Sequence, residues 1–172
     1  IMSLIITSLF RHLSAVIICL ASVLPAAADG ALHSLLRPVD AERIEQTPAY
    51  LATAIMQARQ TAAPKVFAQL ENVLAGTPLP IEGDFDPTGA WQCRYLRLGG
   101  PEGLRVFNAY RCRIYDDGAG WVLEKTSGAE RLRGRFYTLS DTHLAFVGAR
   151  NGPQQAQGWY GMHTTRDTVG VL

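Results

Sequence analysis

Apolar and polar residues alternate with two different periods along this chain, and the change falls near residue 80. From Val39 to Gly76 the apolar positions recur at helical spacing. Asp40 stands where a cap would start a short helix, DAERIEQ, and Thr47 with Pro48 fits the N-cap and first residue of a second. Leu51, Ile55 and Ala58 continue that second helix, with Tyr50 and Ala54 beside them. Pro64 opens a further one in which Val66, Phe67, Leu70, Val73 and Leu74 line one face, and Gly76 stops it. The pattern predicts one small helical layer docked by the Phe67 face. Residues 29–38 show no usable period and read as a flexible lead. Residues 77–88, TPLPIEGDFDPT, hold three prolines and three acids and read as a linker.

Beyond the linker the period shortens to two. Trp91, Cys93 and Tyr95 share one face of a first strand, with Gln92 and Arg94 opposite. After the loop GGPEG, a second strand is expected to put Leu104, Val106, Tyr110, Cys112 and Ile114 on one apolar face and Arg105, Arg111 and Arg113 on the other. A tight hairpin through that loop does not set the two cysteines directly opposite each other, so either the loop is longer or the bridge is less regular. The next pair has a definite register. A four-residue turn at Ser127–Glu130 faces Thr126 with Arg131, Glu124 with Arg133, Leu123 with Gly134 and Trp121 with Phe136. This sets an aromatic pair inside and an ion pair outside, and it leaves Lys125 on the inner face beside Leu132. Further strands are expected at Leu144–Ala149 (LAFVGA) and Trp159–His163 (WYGMH), and DTVGVL at Asp167–Leu172 reads as the start of another. At least five short antiparallel strands point to a barrel or sandwich.

The N-terminus belongs to neither pattern. No acidic residue precedes Asp29, and Arg11 and His12 lead into the uncharged run LSAVIICLASVL and then Pro25-Ala26-Ala27-Ala28. That arrangement fits a secretory signal cut after Ala28, because a dozen apolar residues fall short of the roughly 20 needed to span a bilayer. The alternative is an uncleaved N-terminal anchor, which is the one route to a membrane association. Taking away residues 1–28 removes Arg11 from the 16 basic residues and no acid, leaving 15 basic against 15 acidic. A neutral chain exerts no strong pull on nucleic acid. Cys93 and Cys112 are the two cysteines left after such a cut, and both sit on apolar faces. In an oxidising compartment a disulfide is therefore the expectation.

Candidate chemistry is sparse. Lys125-Thr126-Ser127-Gly128 invites comparison with the KTG box of penicillin-binding enzymes, but no serine lies three residues before a lysine anywhere in the chain. His33, His143 and His163 have no metal-ligand spacing; His143 reads as a turn or strand-start residue, and no metal, cofactor or catalytic residue is nominated. Two groups remain. Lys125, at an inward position near the sheet end, with the inward aromatics Tyr110, Trp121 and Phe136 forms a candidate ligand site, or else the lysine reaches out to water along its stem at a barrel rim and the aromatics are packed core. Arg131, Arg133 and Arg135 share one strand face and form a candidate partner surface, or else a solvated face balanced by Glu124, Asp116, Asp117 and Glu130.

The stretches GAWQCRYLRLGG, AYRCRIYDDG, LEKTSGAERLRGRFY, LAFVGAR and DTVGVL, running in order over residues 39–172, resemble the family called domain of unknown function 4893. The joint occurrence of W-x-C-R, R-C-R and E-K-x-x-G carries the resemblance. It implies a small secreted protein, mainly of alphaproteobacteria, with a helical lead, a β-barrel-like domain, no established activity and no catalytic residues to transfer. It also implies a strand pair beyond the last residue here, and a Ser-Gln where this chain has Ala129-Glu130. The resulting expectation is an α+β fold: a signal peptide over 1–28, a helical segment over 29–80, and over 81–172 an antiparallel β-barrel-like (lipocalin/calycin-like) domain without its last strands. The function expected is that of a non-enzymatic periplasmic or secreted protein that binds an apolar or amphiphilic ligand. The alternative is an envelope inhibitor or assembly protein acting through its arginines, and an enzyme of unknown class stands third.

Overall fold

Period-two alternation becomes a six-stranded meander. In the computed structural model, which describes residues 28–172, the strands are β1 (Gly89–Leu98), β2 (Leu104–Asp116), β3 (Trp121–Lys125), β4 (Arg131–Ser140), β5 (His143–Asn151) and β6 (Asp167–Val171). Each pairs antiparallel with the next, and the sheet curls into a half-barrel. The predicted β3–β4 register is the observed one, with Leu123 opposite Gly134, Glu124 opposite Arg133 and Lys125 opposite Leu132. Trp159–His163 is not a strand. Gly161 adopts φ +85°, the Met162 amide donates to the Trp159 carbonyl, and the Gly161 amide donates to Asp167 Oδ1, so the segment closes into turns before β6.

Four helices precede the sheet: α1 (Ala28–Leu35), α2 (Pro38–Glu45), α3 (Thr47–Thr61) and α4 (Pro64–Leu74). The expected flexible lead at 29–38 is thus largely helical, because Leu32 finds a seat against Ala145 and Val147 on the outer face of β5. Neither expected cap is one. Arg37 holds the N-cap position of α2 and Gln46 that of α3, while Asp40 is buried in the first turn of α2. The helices also divide between two seats instead of forming a single layer. Leu32 and Ile44 pack on the β4–β6 end, whereas Ala58, Phe67 and Leu70 pack on Leu96, Leu98, Leu104 and Val106 of the β1–β2 end.

A bulge makes the second seat. Between the pairs Arg94–Ala109 and Leu96–Val106, Tyr95 of β1 opposes both Phe107 and Asn108 of β2. The extra residue reverses the alternation of β2, so Leu104 and Val106 turn outward to the helices and Phe107 turns to the inner side. The cysteines form a bridge with Cα atoms 5.9 Å apart. Cys93 faces Tyr110 and Cys112 faces Trp91, so the bridge runs diagonally, as the loop length requires.

The linker is ordered without being an element. Ile81 donates its amide to the Asp141 carbonyl and packs into the cluster of Phe136, Leu144 and Phe146. Phe85 meets the edge of Trp121 with ring centroids 5.5 Å apart, and the Trp91 indole donates to the Pro87 carbonyl at 2.8 Å. Residues 77–88 therefore lie as a strap across the inner face. No helix among the described residues is long and apolar enough to cross a membrane. The expected signal and its cleavage site at residues 1–28 fall almost wholly outside the described residues; Ala28 itself opens α1.

Candidate functional site

The inner face of the half-barrel carries two cavities, and the diagonal disulfide lies at the boundary between them. Along β1, Trp91 and Cys93 line the first and Tyr95 the second; along β2, Ile114 lines the first and Tyr110 the second; along β3, Leu123 lines the first and Lys125 the second. Strand alternation keeps these residues on one face, so Cys93 and Tyr95, Leu123 and Lys125, and further apart Tyr110 and Ile114, each divide between the two cavities.

The first cavity measures about 690 Å³ and lies between the strap and the sheet. Ile114, Leu123, Phe136 and Leu144 form its floor and Ile81 and Phe85 one wall. At its mouth Val73, Leu74, Leu79 and Trp91 are all exposed, Leu79 by 70%. Polar groups are few: Gln92, Thr77, Thr142 and His143. His143 opens β5, as its position predicts, and its Nδ1 lies 2.9 Å from Thr142 Oγ1 and 3.2 Å from Ser140 Oγ.

The second cavity measures about 470 Å³ and is lined by Tyr95, Arg97, Phe107, Tyr110, Lys125 and Arg150, with Glu130 at its edge. Lys125 is 3% exposed. Its ammonium lies 4.0 Å from the centre of the Tyr110 ring and 5.4 Å from that of Tyr95, and donates to the Glu130 backbone carbonyl. No carboxylate among the described residues forms an ion pair with it. Burial pulls the Lys125 pKa below its ordinary value; the Glu130 charge opposes this and Arg131 adds to it. Burial likewise raises the Tyr95 phenol. The β3–β4 turn closes over this group: a Cβ on Gly128, which adopts φ +85°, would stand 2.7 Å from the Tyr110 ring and 3.0 Å from Lys125 Nζ. Only glycine meets both conditions without strain.

The four residues expected to share a ligand site are thus divided. Lys125 and Tyr110 meet in the second cavity, while Phe136 lines the first and Trp121 packs behind it against Phe85. Sequence reasoning did not reach Arg97, Phe107 or Arg150. Phe107 comes inward through the bulge alone, and Arg97 and Arg150 come from strands whose exposed arginines look alike in sequence.

The three arginines proposed as a partner surface lie on the outer face and are largely engaged within the molecule. Glu124, 3% exposed, accepts from Arg113 Nε at 2.7 Å and from the Tyr115 hydroxyl at 3.0 Å. Arg133 Nε lies 3.1 Å from Glu124 Oε1, outside hydrogen-bonding direction, and its guanidinium covers the Trp159 ring at 4.1 Å. Arg135 binds Asp117 through two bonds of 2.7 Å. Arg131 is half-buried and its Nη1 has no hydrogen-bond partner. Among the described residues, no three histidines, cysteines or carboxylates converge as a metal site.

Fold and cavities together define a class: an α+β protein on an antiparallel, barrel-like sheet whose inner face is hollow. Within that class, the chain belongs to the family described as Domain of unknown function (DUF4893), whose model matches residues 33–172. The chain has no match among curated proteins and none among solved structures.

Proposed function

We propose that this is a non-enzymatic binding protein of the periplasm or cell exterior, exported by its N-terminal segment, which takes an apolar or amphiphilic molecule into the 690 Å³ cavity under the strap. The observation that carries this reading is the cavity wall: a floor of aliphatic and aromatic side chains continuous with an exposed apolar mouth at Val73, Leu74, Leu79 and Trp91. A concave apolar site of this size suits a small lipid-like or aromatic molecule, and exposed apolar residues gathered at one rim mark a binding edge. The cysteine bridge supports an oxidising compartment.

Native mass spectrometry of the protein purified from its own host tests the reading. A retained small molecule is expected, displaced by the neutral apolar fluorophore N-phenyl-1-naphthylamine and lost in Leu123→Trp, which fills the cavity floor. A clean apo mass together with no fluorophore binding overturns it. N-terminal sequencing of the exported protein tests the compartment, with Asp29 expected as the first residue.

A further inference from the structure

The second cavity has a different chemistry from the first. Three cationic side chains line it, Arg97, Lys125 and Arg150, against the single carboxylate of Glu130, a formal excess of two positive charges. Three aromatic rings, Tyr95, Phe107 and Tyr110, form the rest of its wall. The charges are unequal in their engagement. Glu130 Oε2 is 3.9 Å from Arg150 Nη1, at the limit of an ion pair, and Arg97 lies over the Phe107 ring at 5.7 Å with no carboxylate partner among the described residues. Lys125 is the most buried, and one backbone carbonyl is its sole hydrogen-bond acceptor. An ammonium has three donors, so two make no hydrogen bond among the described residues and meet only the tyrosine rings and the cavity.

Removing an ammonium from water costs several kcal/mol unless a counter-charge replaces the lost hydration. Tyrosine ring faces restore part of that loss but none of the net charge. Arg97 and Arg150, exposed at the rim, add a solvent-screened positive field to the same hollow. An anion in the hollow would relieve all three at once, and flat aromatic walls favour a flat ligand.

We propose that the Lys125 cavity is a second, independent site that binds a small planar aromatic carboxylate, with the carboxylate at Lys125, Arg97 and Arg150 and the ring between Tyr95, Phe107 and Tyr110. Phe107 belongs to this site through the β2 bulge, and Gly128 keeps the turn low enough to roof it. The site does not depend on the apolar cavity holding a ligand.

The probe is 2-naphthoate, compared with its uncharged analogue 2-naphthamide, by titration calorimetry on the exported, disulfide-bonded protein. Saturable 2-naphthoate binding is expected, at least ~10-fold tighter than 2-naphthamide and weakening as salt rises. Lys125→Met is expected to weaken 2-naphthoate by ~10-fold and 2-naphthamide by less than about twofold. Arg97→Gln and Arg150→Gln, at exposed positions where folding is not at risk, are each expected to weaken 2-naphthoate several-fold. Leu123→Trp in the other cavity is expected to change nothing. Equal affinity for the two probes, no saturable binding, or indifference to both arginine variants overturns the proposal. Loss of 2-naphthoate in Leu123→Trp also overturns it, because the probe would then occupy the apolar cavity.

Discussion

Glu124 and Lys125 are neighbours on β3, carry opposite charges and are each 3% exposed, yet the two sides of the sheet treat them differently. Glu124 faces outward into Arg113, Arg133 and Tyr115, which together neutralise and hydrogen-bond its carboxylate. Lys125 faces inward onto two aromatic rings and a backbone carbonyl, with no ion pair. A buried charge supplied with partners by the fold is part of the scaffold; one left short of them in a hollow is a group held ready for something else. Adjacent strand positions can differ this far because the pleat sends them to unrelated environments.

The sharpest way to disturb both sides is through the bridge, since Cys112 is the cross-strand partner of Lys125. With its ends 19 positions apart in sequence, its removal in Cys93→Ala/Cys112→Ala is expected to cost ~3 kcal/mol in urea unfolding under non-reducing conditions. A loss below ~1 kcal/mol would show that strand register alone holds the β1–β2 hairpin. Glu124→Ala comes next. It strands two guanidiniums around an empty site, and because both remain partly exposed the expected cost is about 2–3 kcal/mol, at or below the low end for a broken buried pair. Gly128→Ala forces a left-handed backbone and a clash with Tyr110 and Lys125, for about 1–2 kcal/mol.

Lys125→Met should cost the least of the four, within ~1 kcal/mol of wild type or stabilising, because an apolar stem of similar length replaces a charge that lacks an ionic partner. If Glu124→Ala and Lys125→Met prove equally costly, the contrast between the two residues is gone and Lys125 is scaffold.

Titration separates the two sides by sign, with the smallest amplitude. Outside, the Arg135 guanidinium holds the Asp117 carboxyl at about 2 against an ordinary 3.8. A depressed carboxylate contributes fully above its unfolded value, so this contribution is present above pH 3.8 and lost as pH falls towards 2. Inside, Lys125 has its pKa lowered from 10.5, so the folded state gains stability as pH rises from the folded pKa towards 10.5. Thermal melts across both ranges should show Arg135→Gln flattening the acid limb and Lys125→Met flattening the alkaline one. Acid and alkaline limbs that respond to neither variant would assign both to other groups.

Much of this was legible in the chain. Alternation and the Ser127–Glu130 turn were enough for the β3–β4 register and for the inward side of Lys125, because a one-residue slip would bury Glu124 and Arg133 among Phe136 and Leu123. The depth of Glu124 was not legible, since it comes from Tyr115 and two arginines closing over it across three strands. Nor was the helical seat of Leu32. The unbroken apolar run LAFVGA in β5 was the available signal, for a strand covered on both faces loses its alternation. Trp159 and Tyr160 imitate a strand because aromatic residues favour strands, but here they are anchors: one lies beneath Arg133, the other donates to Asp40 at 2.7 Å. The division of the expected ligand site in two follows from the β2 bulge and the strap, neither of which has a period to read.

The cluster around Asp40 also bears on the order of assembly. Burial opposes the Asp40 charge, yet hydrogen bonds from Tyr160 and Arg37 hold its carboxyl below the ordinary range, and Arg37 Nη2 reaches Asp167 Oδ2 at 3.2 Å. Every strand pairs with its sequence neighbour, so the sheet can zip from hairpin to hairpin, with short loops to close up to β5 and a longer one, 152–166, before β6. This latch, with the Leu32 and Ile44 packing beside it, joins distant parts of the described chain: Arg37 and Tyr160 are 123 positions apart in sequence. Its closure has the largest loop entropy to overcome and needs β6 already in place. Of the two helical seats, the one held by α1 and α2 is thus expected to close last, after that of α3 and α4 on the β1–β2 end.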